Sequence, residues 1–268
     1  DGTPQLDPQG VPLATYTQAN VNEFTRVFTG WNFNPLLLGT GITNWRDPMV
    51  PRGGTNHDTG AKTLLNGFSI PACAGTNTAC AQSDMNTVMD HLANHPNVAP
   101  FISKQLIQHL VTSNPSPAYV ERVARVFIND CDGLYPQNCT NTRGNLKFVV
   151  QAILLDPEAR GDLKTAPNYG KLREPAQHVN GFLRAFNVKS FDKLSTSDGS
   201  LGSRGGDFPG ALDQPVFQPA TVFSYYQPSY EVPGTKILGP AFGILSTTTT
   251  LRRANTINTF VYTGVSSN

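Results

Sequence analysis

The strongest constraint on this chain is the rhythm of residues 84–156. Four apolar strings at helical spacing follow one another there, with short polar breaks. Residues i, i+3, i+4 and i+7 share one helix face, whereas strands need a period of two, so this stretch reads as helix after helix. Ser83 is placed to cap the first, with Met85, Val88, Met89 and Leu92 on its inner face and His95-Pro96 at its end. A second helix, near 97–112, carries Phe101, Ile102, Leu106, Ile107, Leu110 and Val111 around most of its circumference. Its polar strip is Lys104, Gln105 and Gln108, which predicts a central position. Ser116-Pro117 supplies a cap and an N1 proline for a third helix with Val120, Val123, Ala124 and Phe127 inward. Leu146, Val149, Val150, Ile153 and Leu154 form the fourth, which stops near Asp156-Pro157. Short connections favour neighbouring, roughly antiparallel packing.

The flanks are less regular. Two turn signals, Asp1-Gly2 and Asp7-Pro8-Gln9-Gly10, predict a small N-terminal hairpin over 1–15. Thr17 caps a helix reaching about Thr29, and Gly30 stops it. Residues 30–82 scatter Trp31, Phe33, Trp45 and Phe68 among Gly, Pro, Asn and Thr, and so read as a long loop. A further helix opens at Arg173-Glu174-Pro175 and runs to about Phe186. Residues 187–240 are again loop-rich, with Phe208, Phe217, Phe223, Tyr225, Tyr226 and Tyr230. A closing helix falls within 243–262, with Ala254, Ile257 and Val261 inward. The expected fold is therefore mainly α, a single domain over 1–268. Six to seven helices carry long ordered Gly/Pro/Asn-rich loops, and the helical core lies at about 84–156.

Composition excludes several functions. A net charge of +1, from 20 basic and 19 acidic residues, leaves no footprint for nucleic acid. No apolar run approaches the ~20 residues that cross a bilayer as a helix. The four cysteines form two close pairs, Cys73/Cys80 and Cys131/Cys139, each around a loop-like interval. Neither has metal-ligand spacing or a neighbouring histidine, so local disulfides are expected, and with them an oxidising compartment, periplasmic or extracellular. The start at Asp-Gly-Thr-Pro reads as that of a processed or truncated product.

Candidate chemistry is sparse. His57-Asp58 lies in a Gly-rich loop, a pairing suited to acid–base work, to binding a metal, or simply to locking a loop, with Lys62 close by as a candidate ligand-binding residue. The same stretch misses the phosphate-loop pattern, because Ala61 separates Gly60 from Lys62. His91 and His95 stand four apart on one helix, but cap and dipole roles suffice for them and no metal is expected. His109 reads as a core histidine. Glu174 is a candidate acid or a helix-dipole partner, and Arg173, on the same helix as His178, is a candidate anion ligand. Asp58, Asp84, Glu174, Asp207 and Asp213 are the carboxylates from which a glycosidase pair would be drawn. Tyr225 and Tyr226, among Asn and Gln, suit a sugar platform or loop packing. There is no Gly-x-Ser-x-Gly elbow and no cofactor motif.

Four ordered landmarks carry a family resemblance. They are Phe24-Thr-Arg-Val-Phe-Thr-Gly-Trp31; His57-Asp58-Thr-Gly-Ala-Lys62-Thr with Leu65-Asn-Gly67; His95-Pro96 through Leu106 with Ser113-Asn-Pro-Ser-Pro117; and Gln214-Pro-Val-Phe-Gln-Pro219 through Arg252-Arg-Ala-Asn255. Together they resemble the bacterial DUF1800 family, of unknown function. The resemblance implies an exported protein and a longer parent, of which this chain is the C-terminal part. The N-terminal part of the same protein is then an expected partner. Two functions follow: a surface or secreted binding or structural module that meets glycan or another surface protein, or an extracellular hydrolase on a polymeric glycan with His57, Asp58 and Glu174 in its site.

Overall fold

A computed structural model describes residues 6–34, 44, 47–161, 166–187, 212–215, 218–222 and 224–263. Its chain divides into two units, 1–98 and 99–268. The stretch 84–156 is therefore shared between them. Among the described residues eight α-helices and two two-stranded antiparallel pairs are present, so the protein is mainly helical.

The first unit opens with a turn in which Leu6 bridges Pro12 and Gly10 N donates to Asp7 O at 2.9 Å. Helix α1 (Gln18–Val27) begins where predicted. Thr17 Oγ1 accepts from Asn20 N, and Asn20 Oδ1 accepts from Thr17 N, a reciprocal capping box. Strand β1 (Trp31–Asn32) pairs with β2 (Val50–Pro51). Strand β3 (Lys62–Thr63) pairs with β4 (Ser69–Ile70) around a turn with Asn66 in the left-handed region. Helix α2 (Asn77–Ala93) starts earlier than Ser83, because Thr76 Oγ1 accepts from Ala79 N and caps it. The Cys73–Cys80 disulfide thus joins a loop to the first turn of a helix. The inner face of α2 is Ala81, Asp84 and Val88, while Met89 is exposed. The core is Val27, Leu64, Ile70 and Val88, with Phe24 and Leu92 against it. Each such side chain contributes roughly 1.5–3 kcal/mol on full burial.

In the second unit α3 (Val98–Leu110) buries small and polar residues. Ala99, Ser103, Ile107 and Gln108 face inward, while Phe101 and Leu110 are exposed. The expected polar strip is thus not a solvated one. Gln108 is buried because its amide donates to the carbonyls of Ser113 and Pro228, both at 3.1 Å. Helices α4 (Pro117–Ile128) and α5 (Leu146–Leu155) pack on one another through Val123, Ala124, Phe127, Phe148, Val149 and Ile153. Ser116 caps α4, and Tyr119 Oη donates to Ile153 O at 2.6 Å. Arg122 forks onto Asp156 at 2.7 and 2.8 Å, and Asp156 also caps the short α6 (Pro157–Arg160). Helix α7 (Pro175–Ala185) opens at Glu174 as predicted. Helix α8 (Thr247–Asn258) is capped by Ser246 and continues as a π turn over 259–263. Its buried residue is Thr249, which donates to Ile244 O, whereas Ala254 and Val261 are exposed.

The second disulfide, Cys131–Cys139, closes the loop between α4 and α5. Buried Asp130 sits inside that loop. Its carboxylate accepts from Thr140 N, Thr140 Oγ1, Thr142 N and Asn145 Nδ2.

Candidate functional site

Each unit holds a polar cluster built around a histidine and a carboxylate. The first is built on the 56–63 loop. Gly30, at φ +81° beyond α1, lets the backbone of Asn56 and His57 pass so close that an added Cβ would meet it at 3.0 Å. That approach sets His57 against α2. Its Nδ1 donates to Thr29 O at 3.0 Å, its Nε2 lies 3.2 Å from Asp84 Oδ2, and its backbone exchanges two 2.8 Å hydrogen bonds with Asn77. Lys62 Nζ donates to Asp84 Oδ2 at 2.6 Å, to Asp58 O at 2.6 Å and to Gly60 O at 2.9 Å. An ammonium has three donors, and all three are used. His57, Lys62 and Asp84 are buried. Asp58 points elsewhere, into a two-pronged pair with Arg26 at 2.8 and 3.1 Å. Arg26, then the Gly60 amide, holds the Asp58 carboxyl well below the usual carboxylate range.

The second cluster lies in a cleft of about 330 Å³. Gly170 is tied to the end of α3: its amide donates to Thr112 Oγ1 at 3.1 Å, and its carbonyl accepts from Ser113 N at 2.8 Å. This anchors the approach to α7 and brings Glu174 to His109. His109 Nδ1 donates to Glu174 Oε1 at 3.3 Å, and Gln214 Nε2 donates to Glu174 Oε2 at 2.6 Å. Tyr226 is the third donor to the same carboxylate. Gln214 is itself fixed, because its Oε1 accepts the Ala176 amide at 2.9 Å in the first turn of α7. Lys171 donates to the His109 carbonyl, with its ammonium 3.9 Å from Glu174 Oε1. Phe101, Ile102, Leu172, Val222, Pro228 and Pro240 give the cleft apolar walls.

Burial alone would raise the Glu174 carboxyl, but hydrogen bonds from His109, Tyr226 and Gln214 outweigh it and hold it at about 2. Burial, then the Glu174 carboxylate, pushes the Tyr226 phenol far above its ordinary value. Burial lowers Lys171, against the pull of Glu174. The cleft therefore presents a fixed carboxylate, a phenol that keeps its proton, and an imidazole whose Nε2 makes no hydrogen bond among the described residues.

His57, Asp58 and Lys62 thus lie in the first unit, and Arg173, Glu174, Tyr225 and Tyr226 in the second. Within the first, His57 and Lys62 meet on Asp84, while Asp58 turns to Arg26. Within the second, Glu174 and Tyr226 share the cleft. Tyr225 Oη donates to Pro215 O, and Arg173 is exposed. His109 is a half-exposed cleft residue instead of a core one, because α3 turns its small-residue stripe inward. Sequence reasoning passed over Gln214, although it opens one of the four landmarks; it named Asp84 only among the carboxylates and not as the partner of His57 and Lys62, because Asp84 hides inside an apolar face. His91 stacks on Phe68 with centroids 4.3 Å apart, and it and His95 form no cluster with a third metal-ligating side chain among the described residues. Asp130 does lie beside both sulfurs of its loop, but they are bonded to each other and offer no thiolate. Trp45, Asp207, Phe208, Phe217 and Phe223 lie outside the described residues.

No curated protein and no solved structure matches the chain. A family model described as a protein of unknown function, DUF1800, matches residues 9–260, and the chain belongs to that family.

Proposed function

We propose that this is an exported binding module whose second unit takes a polyhydroxylated ligand, a short glycan segment, in the His109–Glu174–Tyr226 cleft. The observation that carries this reading is the single ionised carboxylate set between three donors and walled by apolar side chains. A recess of this size with a few convergent polar groups fits a small ligand. Exposed Phe101 offers a ring face for a sugar, and Gln105 and the Nε2 of His109 offer partners for hydroxyls. Glycoside cleavage fits less well. It needs two carboxylates across the bond, one of them able to give a proton. Glu174 is the one carboxylate lining the cleft among the described residues, and it is held ionised. The two local disulfides support export to an oxidising compartment.

Calorimetric titration with a panel of soluble oligosaccharides tests the reading. At least one should bind saturably, and Tyr226→Phe or Glu174→Gln should weaken it about tenfold, the value of one hydrogen bond to a charged partner. If no oligosaccharide binds, or if both variants bind as the parent does, the reading is wrong.

One observation favours a second, hydrolytic reading. A carboxylate that fixes the tautomer of a histidine whose other nitrogen makes no hydrogen bond is the arrangement of an oriented general base. Ser113 and Ser224 line the same cleft. On this reading the protein cleaves acyl groups from a polymeric glycan, and turnover of an acetylated oligosaccharide should vanish in His109→Gln. Absence of acetate release by the parent protein would remove it. The His57–Lys62–Asp84 cluster, with its donors already used, is better suited to holding the 56–63 loop on α2 than to either function.

A further inference from the structure

Away from the cleft, α7 and α8 bring three basic side chains together. They are Arg173, just before α7, His178 within it, and Arg253 on α8. Arg253 Nη1 donates to the Arg173 carbonyl at 3.1 Å. Its other edge, Nε and Nη2, is buried and has no hydrogen-bond partner among the described residues, and neither has the buried Nε2 of His178. The Arg173 guanidinium packs against α7 at Gly181, where an added Cβ would sit 3.4 Å from its Nη1. The nearest acid in sequence, Glu174, is committed to His109, Tyr226 and Gln214. Burial lowers Arg253, and burial, Arg253 and then Arg173 lower His178.

Buried polar groups in folded proteins are almost always paired, and a buried charge left alone costs several kcal/mol. Of the six buried side-chain atoms left unpaired among the described residues, three belong to His178 and Arg253. Nε and Nη2 of one guanidinium form a fork of two parallel N–H bonds, which matches two oxygens of a carboxylate, phosphate or sulfate.

We propose that this edge is an oxyanion site, in which two oxygens of the anion sit on Arg253 Nε and Nη2, His178 Nε2 is a third donor and Arg173 adds positive charge. The site is independent of the glycan reading and uses none of the cleft side chains. Because its donors are shielded from water, the anion enters only when covering side chains part, and its exchange is slow.

The test uses the full chain. Inorganic phosphate, and in a parallel arm acetate, is titrated against sodium chloride at matched ionic strength. The readouts are melting temperature and, for phosphate, the ³¹P linewidth. A site that binds the native state gives a saturable rise in melting temperature with phosphate or with acetate, and none with chloride. The arm that responds identifies the oxyanion as tetrahedral or planar. Arg253→Lys keeps the charge and discards the fork, so its apparent Kd should rise about tenfold. Should that variant not fold, His178→Gln carries the test, with an expected loss of about threefold. Equal responses to all three salts, or variants that fold and bind as the parent does, would overturn the proposal.

Discussion

The His57–Lys62–Asp84 cluster and the His109–Glu174–Tyr226 cluster use the same ingredients, a histidine, a carboxylate and a neighbouring lysine, for opposite ends. In the first, all three side chains are buried, and the carboxylate sits in the middle of a helix among apolar neighbours. In the second, the carboxylate sits at a helix start, the histidine is 42 % exposed, and the group faces a cleft. Saturated and dry, the first can only hold. Open on one side, the second can also bind. What separates them is the placement of the acid along its helix, which no list of nearby residue types reveals.

The largest effect that would break this contrast is expected at Asp84. Removing it in Asp84→Ala leaves Lys62 and His57 without their shared partner, and breaking a buried pair in this way costs about 3–5 kcal/mol. Urea unfolding should show that loss, and a cost below about 1 kcal/mol would mean the cluster is not a lock. Next comes Glu174. Its folded value of about 2 lies below its ordinary 4.5, so its contribution is fully present above about pH 4.5. It is lost as pH falls towards 2, in all roughly 2–3 kcal/mol. Urea midpoints of the parent and of Glu174→Gln should therefore converge on acidification through that window, and parallel curves would contradict the network. The smallest effect is at Arg26, whose pair with Asp58 is about a third exposed on both sides. Arg26→Lys loses the two-pronged geometry and should cost under about 1 kcal/mol. A larger loss would show that Asp58 belongs to the lock after all.

Much of the architecture was legible. Thr17 and Ser116 mark helix starts by capping hydrogen bonds, and Pro117 and Pro175 by a backbone angle preset for the first helical turn; all three starts hold. The cysteine pairs close where their spacing says. What failed was the assignment of faces. Met89 and Phe101 were expected inside and lie outside, because α2 and α3 bury Ala81, Asp84, Ala99 and Ser103, and small residues let neighbouring chain approach where large ones fit the pattern better. The role of Asp84, named from sequence only among the carboxylates, was illegible for the same reason: its partners are 22 and 27 residues away, and a lone acid on an apolar face looks like an error in the period. The cleft joins His109, Glu174 and Gln214 across 65 and 40 residues, distances that a periodicity argument does not span.

The carboxylate inside the α4–α5 loop has a consequence for how the protein is made. Asp130 gathers Thr140, Thr142 and Asn145 around itself by hydrogen bonds that need no sulfur chemistry. Cys131 and Cys139 are the immediate chain neighbours of that carboxylate and of Thr140. The same hydrogen bonds should hold the two thiols near one another in the reduced chain, so that each meets its proper partner. Mispairing with Cys73 or Cys80 should then be disfavoured, and reduction of the bond should leave the shape of the loop largely in place.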